Sequence, residues 1–326
     1  MGFTIATYNV KDLFDETAPA LREDRTLGRY VYRAKLEAIA PMIRRVDADI
    51  IALQEVSSQR VLDDLAKMLS RDTGANYIAT RVATADERGI ACGLLSRFEV
   101  SSVCDHRPAD LPPIRFRSDE PRMSAEGSVY AHRGMLETRI ALPDRSTLVL
   151  INVHFKSNLP IPMLNVEGQG VPFADHHAHG EGLARAMITR VSEALYVRKL
   201  IDALLAKDPW TQLAVVGDFN DNEHSVSVRA LMGDPMLGSV QSGNDAFAGR
   251  SLFSCTRGIP HESRYSVVFR GEPSQIDHIL VSRGLWARFG SAKFYNETLR
   301  EDLAAQGPGG VGSLASDHAP LRADFR

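Results

Sequence analysis

The sequence is poor in cysteine, in net charge and in long apolar runs, and each shortage excludes a class of protein. Three cysteines, Cys92, Cys104 and Cys255, lie far apart without a CxxC pair, which excludes a disulfide framework and a zinc knuckle. The net charge is −3, so any positive field that attracts a nucleic-acid polyanion must be local. No apolar stretch is long enough to cross a bilayer, and no charged leader precedes the first strand. These absences predict a cytoplasmic protein without a membrane partner.

The composition is that of a folded chain. Hydrophobic residues make up 44% of the sequence and charged residues 24%, which is enough apolar mass for a core and too little charge for disorder. The 326 residues exceed the ~150 residues of an average domain. Length alone therefore leaves one large domain or two smaller ones open.

Short β-branched or alternating runs predict eight strands. These cover residues 3–8, 49–54, 90–95, 134–140, 147–154, 212–217, 265–269 and 276–282. Two of them are joined by Pro-Asp-Arg-Ser at residues 143–146, which is too short for a crossover helix. We therefore expect largely antiparallel or mixed sheets.

Apolar residues at helical spacing predict two helices that pack outside the sheets. Their stripes are Leu36, Ile39, Ile43 and Val46 in the first, and Met187, Val191, Ala194, Val197, Ile201 and Leu204 in the second. Proline-rich stretches at residues 105–127 and 156–182 predict long loops, which in a compact domain are typically functional.

Several predicted strands end in a polar residue. Asn9, Glu55 and His154 each follow an apolar run, and Gly217-Asp218-Phe219-Asn220 follows another. Asp277 lies inside an apolar strand, and His318 lies near the end of the sequence. Taken singly, each has an ordinary structural explanation, such as a cap, a turn or an ion pair.

As a set, these residues supply what hydrolysis of a phosphate ester requires. Glu55 offers oxygen ligands to Mg²⁺ or Mn²⁺. Asp277 is able to orient His318 as a base, and Asp218 to position water or a metal. The amides of Asn9 and Asn220, with His154 as an electrophile, would face the phosphoryl oxygens.

Seven short motifs carry these residues along the chain. They are Thr7-Tyr8-Asn9-Val10, Leu53-Gln54-Glu55-Val56, His132-Arg133-Gly134, Asn152-Val153-His154-Phe155-Lys156, Gly217-Asp218-Phe219-Asn220, Ile276-Asp277-His278-Ile279 and Ser316-Asp317-His318. In order and rough spacing they resemble the endonuclease/exonuclease/phosphatase superfamily, over residues 9–318. The resemblance implies an α/β four-layer sandwich, in which two mixed, mainly antiparallel sheets pack face to face with helices outside. Since the first and last motifs must meet, it also implies a single domain over residues 1–326.

The resemblance also implies roles for individual residues. Glu55 would be the main metal ligand, with Asn9 and Asp317 close to the metal. Asp218 and Asn220 would act on the nucleophile and the transition state, and Asp277 would pair with His318. Arg133 would reach a phosphate, and His154 fills a position that some members give to tyrosine.

One position departs from part of the superfamily. Abasic-site endonucleases carry an acid where this chain has Lys11, whereas members that resemble deoxyribonuclease I carry a basic residue there. Lys11 is therefore expected to meet a substrate phosphate, which argues against abasic-site repair. Asp12 or Asp15 is left as a substitute ligand, and Glu87 as the nearest carboxylate to support His154.

Two further clusters keep alternative interpretations. His176, His177 and His179 would suit a transition metal, or would simply form a surface run. The loop at residues 105–127 has a formal charge of −1, because four arginines are offset by five acids, and it either contacts substrate or is solvated. These residues are Arg107, Arg115, Arg117 and Arg122, with Asp105, Asp110, Asp119, Glu120 and Glu126.

The leading hypothesis is a phosphodiesterase that depends on Mg²⁺ or Mn²⁺ and acts as an endonuclease on DNA or RNA, with water activated by Asp218 or His318. One alternative keeps the chemistry but makes the substrate a small phosphoester, as in a phosphatase or a phospholipase-like enzyme. Another is a catalytically silent binding protein on the same fold. No protein partner is inferable.

Overall fold

The computed structural model describes residues 2–15, 25–73, 76–117, 120–121, 129–131, 133–233, 248–299 and 314–326. Within them the strands, in chain order, are β1 (Phe3–Leu13), β2 (Ile50–Val56), β3 (Ala79–Val82), β4 (Ala91–Ser96), β5 (Val100–His106), β6 (Arg115–Arg117), β7 (Glu120–Pro121), β8 (Met135–Ala141), β9 (Thr147–His154), β10 (Gln212–Asp218), β11 (Phe253–Ser254), β12 (Val267–Phe269), β13 (Glu272–Ser274), β14 (Asp277–Val281), β15 (Phe289–Phe294) and β16 (Leu321–Phe325). The α-helices are α1 (Arg25–Val46), α2 (Gln59–Thr73), α3 (His176–Lys207), α4 (Val226–Met232) and α5 (Arg283–Trp286). None of these helices has both the length and the apolar character that a membrane crossing requires.

Two six-stranded sheets form the centre of the molecule. Their strand orders are β15-β16-β1-β2-β4-β3 and β11-β14-β10-β9-β8-β5. In each sheet one central pair is parallel, β1 with β2 and β9 with β10, and the other pairs are antiparallel. The prediction of mixed, mainly antiparallel sheets is confirmed.

Alternation along the strands produces four layers. On β1, Ile5 packs in the core between the two sheets, while Ala6 and Tyr8 pack under α1 and α2. On β10, Ala214 and Val216 face the same central core, and Val215 packs under α3. The order of layers is therefore helices, sheet, sheet, helices, as the resemblance implies.

A polar bridge crosses the central core. Asn152 on β9 donates to the carbonyls of Leu53 and Gly93 in the other sheet, at 2.9 and 2.8 Å. Its side-chain oxygen accepts from Nε2 of Gln54 at 2.7 Å. All of these groups are buried, so the bridge fixes the position of one sheet against the other at the level where their central strands end.

All eight predicted strands are present, with ends shifted by a few residues. Sequence patterns missed β3, β5, β15 and β16, together with β6, β7, β11 and β13, which are only two or three residues long. β3, β5 and β15 lie at or next to the sheet edges, and β5 is mostly exposed, so it needs no apolar run. The antiparallel pairing of β8 with β9 agrees with the short link between them.

Both apolar stripes fall on helices, but the buried face of α3 is rotated about the helix axis relative to the predicted stripe. Met187 is 48% exposed, whereas Arg190 and Glu193 are buried. The two charged side chains point inward because they bind the backbone at Lys156: Arg190 donates to its carbonyl at 2.9 Å, and Glu193 accepts from its N–H at 2.7 Å.

The boundaries of both predicted loops need correction. β5 includes residues 105 and 106. Helix α3 begins at His176 rather than after residue 182, because the Asp175 side chain caps it by accepting from Ala178 N at 2.7 Å. His176, His177 and His179 therefore lie in the first turn of α3. Arg115–Arg117 pairs with Glu120–Pro121 as a small hairpin, and residues 118–119 and 122–128 lie outside the described residues, as does His132.

Candidate active site

The polar strand ends meet at one edge of the two sheets. Asp218, the last residue of β10, is in register with His154 of the parallel strand β9 and with Asp277 of the antiparallel strand β14. From the other sheet, Asn9 Nδ2 donates to Oδ2 of Asp218 at 3.0 Å. Side chains that are 209 residues apart in sequence thus share one hydrogen bond across the gap between the sheets.

Glu55 joins this network from the neighbouring strand. Its Oε1 accepts from Asn9 Nδ2 at 3.1 Å, and its Oε2 accepts from Asp12 N at 2.9 Å. Glu55 has no partner on β4, because Gln54 pairs with Cys92 and Val56 pairs with Ala91. Glu55 therefore forms a β-bulge. The bulge turns the Glu55 carboxylate toward Asn9.

His318 and Asp277 form a buried pair. Nδ1 of His318 lies 2.8 Å from Oδ2 of Asp277, and its Nε2 lies 4.0 Å from Oδ2 of Asp218. Ser316 holds the His318 segment in place, because its Oγ donates to the carbonyl of Asn9 at 2.6 Å and accepts from His318 N at 3.0 Å. Glu55, Asn9, Asp218 and His318 are therefore linked by successive contacts of 4.0 Å or less.

His154 faces the same carboxylates. Its Nε2 lies 3.5 Å from Asp218 Oδ2 and 3.9 Å from Glu55 Oε1. Its buried Nδ1 has no hydrogen-bond partner among the described residues, so the suggestion that Glu87 supports it is wrong. Burial, followed by the positive charge of Arg133, holds the pKa of His154 well below its usual value, and the imidazole is neutral at neutral pH.

Two expected substrate contacts are engaged within the protein. Arg133 binds Oδ2 of Asp86 at 3.2 Å and donates to the carbonyl of His154 at 3.2 Å. Lys11 Nζ forms a 2.9 Å ion pair with Asp317, whose side chain is 39% exposed. Both cations lie beside the site, and their contact with phosphate stays a prediction.

Asn220 supports Asp218 rather than facing outward. Its backbone N–H donates to Asp218 Oδ1 at 2.8 Å, and its Nδ2 donates to the carbonyl of Phe155 at 3.0 Å and to Asp218 Oδ2 at 3.3 Å. The turn requires glycine at position 217, where φ is 142° and a Cβ would lie 1.9 Å from the Val153 carbonyl oxygen.

Non-glycine residues with positive φ are concentrated at this edge. Lys11, Asp12, Glu55 and Asn220 have φ values of 51°, 49°, 64° and 53°. Such conformations cost on the order of 1–3 kcal/mol each and persist where the surrounding structure imposes them. Their clustering around one carboxylate network is typical of a functional site.

Burial and charge raise two pKa values at the site, those of Asp218 and His318. Burial raises the pKa of Asp218 to about 7, against the opposing effect of His318. For His318, burial alone would lower the pKa, but Asp277 and then Asp218 overcome it and raise the pKa to about 10. At neutral pH the site therefore combines a protonated imidazole with a carboxyl group near its midpoint.

The residues fit a divalent cation at two neighbouring places. The carboxyl group of Asp12 interacts with that of Glu55, and its pKa is raised to about 6, by burial first and then by the Glu55 charge. Two crowded carboxylates suit a hard cation. Asp15 instead faces the residue before α2, Ser58, which donates to it at 3.3 Å. Asn9 presents its amide nitrogen rather than its oxygen, since the oxygen accepts from Lys11 N at 2.9 Å.

The second place lies next to it and accepts a cation only when His318 has lost its ring proton. Asp218, Asp277 and His318 each bring one ligand atom within 4.8 Å of the others. Among the described residues, no other group of three His, Cys, Asp or Glu side chains meets this distance. The His176, His177 and His179 cluster does not form such a group.

Sequence patterns missed Lys35 on α1. It is 6% exposed, and its pKa is lowered to about 8, by burial first and with the charge of Asp12 opposing. Lys35 lies four residues before Ile39 of the buried stripe, so a lysine at core spacing was the available signal. Ser316 and Asp86 were also missed, because only their tertiary contacts distinguish them.

Comparisons with known proteins agree with this geometry. A family model described as "Endonuclease/Exonuclease/phosphatase family" matches residues 7–318. No curated protein sequence matches the chain. Among solved structures, truncated TDP2 from Caenorhabditis elegans is 14% identical with a TM-score of 0.55, over 100% of this chain and 98% of that one.

Two further structures show the same fold. An AP endonuclease from Archaeoglobus fulgidus is 15% identical with a TM-score of 0.54, over 99% of each chain. A mannosyl-6-phosphatase from Bacteroides thetaiotaomicron is 17% identical with a TM-score of 0.54, over 98% of each chain. At this identity the likeness concerns the fold.

Proposed function

Since the chain belongs to the endonuclease/exonuclease/phosphatase family, we propose that it is a divalent-metal-dependent phosphodiesterase that cuts DNA or RNA by water attack, as an endonuclease. The observation that supports this most is the convergence of Asn9, Glu55, Asp218 and His318 at one sheet edge. It unites a cation site, a proton acceptor and a positive charge.

Asp218 is the residue we assign to the attacking water. Its carboxylate is 1% exposed, and its pKa of about 7 suits a base that works near neutral pH. Asn220 and Asn9 fix its orientation through hydrogen bonds of 2.8 to 3.3 Å. The proton of the water would pass to Oδ2, which faces both His154 and His318.

The imidazoles act on the phosphoryl group. His318, kept protonated beside Asp277, places a positive charge 4.0 Å from the base. The neutral His154 and the amide of Asn9 are donors for the developing negative charge. Mg²⁺ or Mn²⁺, held by Glu55 with Asp12 beside it, would neutralise phosphoryl oxygens when bound.

A polymeric substrate is supported by the cations at the rim of the site. Lys11 and Arg133 both lie beside the network, although the chain as a whole carries a charge of −3. Two of the similar structures are named TDP2 and AP endonuclease. Lys11, in the position where abasic-site endonucleases carry an acid, argues against that particular substrate.

A second candidate keeps the chemistry but changes the substrate. Four exposed apolar side chains lie between β9 and α3, with exposures of 59 to 97%; they are Leu159, Met163, Leu164 and Val166. Such a cluster favours a phosphoester with an apolar group, as in a phospholipase-like enzyme. The phosphatase among the similar structures keeps a small monoester open as well.

The test is hydrolysis by the purified chain with Mg²⁺, Mn²⁺ or EDTA. The substrates are supercoiled plasmid, a labelled RNA, bis(p-nitrophenyl) phosphate, p-nitrophenyl phosphate and phosphatidylcholine vesicles. We expect nicking of plasmid or cleavage of RNA with metal and none in EDTA. Asp218→Asn should be inactive, whereas Asp202→Asn on the exposed side of α3 should match the wild type. Cleavage of the monoester or the vesicles alone would overturn the nuclease proposal.

A further inference from the structure

A cavity of about 670 Å³ opens beside His154, and the cleavage step assigned above does not use it. Arg133 and Lys156 line it: Arg133 donates to the His154 carbonyl at 3.2 Å, and Lys156 follows His154 by two residues. The cavity therefore adjoins the place where the scissile phosphate would lie. Its volume is within the range of pockets that hold small ligands or parts of larger ones.

The cavity is locally cationic. Its lining carries four positive charges, from Arg88, Arg107, Arg133 and Lys156. Two negative charges come from Asp86 and Glu87. The formal balance of the lining is thus +2, in a chain whose net charge is −3. This is the kind of local positive field that the overall composition leaves room for.

The cations are only partly neutralised. Oδ2 of Asp86 is shared by Arg88 and Arg133, each at 3.2 Å. Nζ of Lys156 donates to neutral oxygens of Ser157 and Leu159. Arg107 is exposed and forms no hydrogen bond or ion pair with any described residue.

Several of these positive charges act on the His154 imidazole. After burial, the positive charges of Arg133, His318, Arg88 and Lys156 all lower the pKa of His154. Three of these four cations line the cavity. An anion in the cavity would relieve their mutual repulsion while lying next to the catalytic centre.

An aromatic surface completes the cavity. Tyr130 lines it and is 54% exposed. A tyrosine face beside cations is typical of sites where a base stacks while its phosphate is bound by basic side chains. This combination favours a nucleotide unit over an inorganic or purely aliphatic anion.

We propose that this cavity binds the phosphate that flanks the scissile one in a nucleic-acid strand, with Arg107 and Arg88 contacting that phosphate and Tyr130 stacking the adjoining base. The inference rests on the proposed function and names the minimal substrate: a strand with two consecutive phosphates. Arg107 and Arg88 are specificity residues in this scheme and take no part in the cleavage step.

The test is direct binding of small nucleotides, measured by calorimetry with Mg²⁺ present. Wild-type protein should bind thymidine 3′,5′-bisphosphate about tenfold or more tightly than either thymidine monophosphate. Arg107→Gln and Arg88→Gln should each reduce this preference about three- to tenfold, the range for an exposed charge-assisted contact. Their affinity for the monophosphates should stay unchanged.

Arg33→Gln is the matched control, because its side chain is 80% exposed on α1 and it removes the same charge elsewhere. Thermal melting of each variant checks that it is folded. Equal affinity of the wild type for bisphosphate and monophosphates, or a full preference in both Arg107→Gln and Arg88→Gln, would overturn the inference. A clear bisphosphate preference without cleavage of any nucleic acid would instead refute the proposed function and leave the cavity assignment in place.

Discussion

His318 and Asp277 form a 2.8 Å pair in which the acid is completely buried and its second oxygen, Oδ1, has no hydrogen-bond partner among the described residues. The charge of Asp277 is thus balanced mainly through the imidazole. Because Asp277 is the largest influence raising the pKa of His318, the pair controls both the orientation and the protonation of that ring.

Removing either partner should reduce turnover while leaving substrate binding largely intact. We expect His318→Ala and Asp277→Asn each to lower kcat by about 10²- to 10⁴-fold, the range for a positioned acid–base group. Asp277→Asn should also lower the pKa of His318, which NMR titration of the ring in EDTA measures. His261→Ala, at an exposed site, is the control. An unshifted His318 titration in folded Asp277→Asn would contradict this role.

The pH dependence should follow Asp218 and His318. Burial raises the pKa of Asp218 to about 7, so the carboxylate needed as a base appears as pH rises through about 7. His318 stays protonated until pH approaches its pKa of about 10. Therefore kcat/KM should rise to a plateau above pH 7 and fall near pH 10. If the residual kcat/KM of Asp218→Asn still rises through the same pH, a group other than Asp218 is responsible for the acidic limb of the profile.

Glu55→Gln should weaken the binding of the divalent cation. It removes one of two interacting carboxylates but keeps the side-chain shape and the hydrogen bond from Asp12 N. Since even supporting residues of metal sites change affinity by about 10- to 100-fold, we expect at least that loss for Mn²⁺. Calorimetric Mn²⁺ titration is the measurement, and exposed Glu262→Gln is the control. Unchanged Mn²⁺ affinity would place the cation elsewhere.

The positive φ of Glu55 predicts an unusual order of stability for two inactive variants. Glu55→Ala and Glu55→Gly both lose the side chain, but only glycine adopts φ 64° without strain. Glu55→Gly should therefore be more stable than Glu55→Ala by about 1 kcal/mol in urea unfolding. At Lys67 on α2 the order should reverse, because glycine weakens a helix. If alanine is favoured at both positions, the backbone at Glu55 is not strained.

Asn152→Leu should destabilise the fold by about 3 kcal/mol, since buried partners in the other sheet lose their hydrogen bonds. The carbonyls of Leu53 and Gly93 and the amide of Gln54 would all be affected. Urea midpoints measure the change, and Asn165→Leu in an exposed loop should cost less than about 1 kcal/mol. Equal midpoints for the two variants would mean that the bridge between the sheets is dispensable.

Local patterns in the sequence carried most of the fold and the identity of the site residues. Apolar alternation marked eight of the sixteen described strands, and the short link at residues 143–146 fixed one antiparallel pair. The polar character of strand ends singled out Asn9, Glu55, His154 and Asp218. Burying a polar side chain costs free energy unless it has a hydrogen-bond partner or a function. These signals depend on neighbours in the chain, so they are readable without a structure.

The direction of each side chain was decided only by tertiary contacts. Asn220 turns toward Asp218, Arg133 toward Asp86, and Asp12 rather than Asp15 toward Glu55. Lys35 enters the site from α1, and Arg190 and Glu193 rotate the buried face of α3. In each case the partner lies on another element or across a bulge or turn, and the rotamer follows from hydrogen bonds and charges that exist only once the sheets have packed.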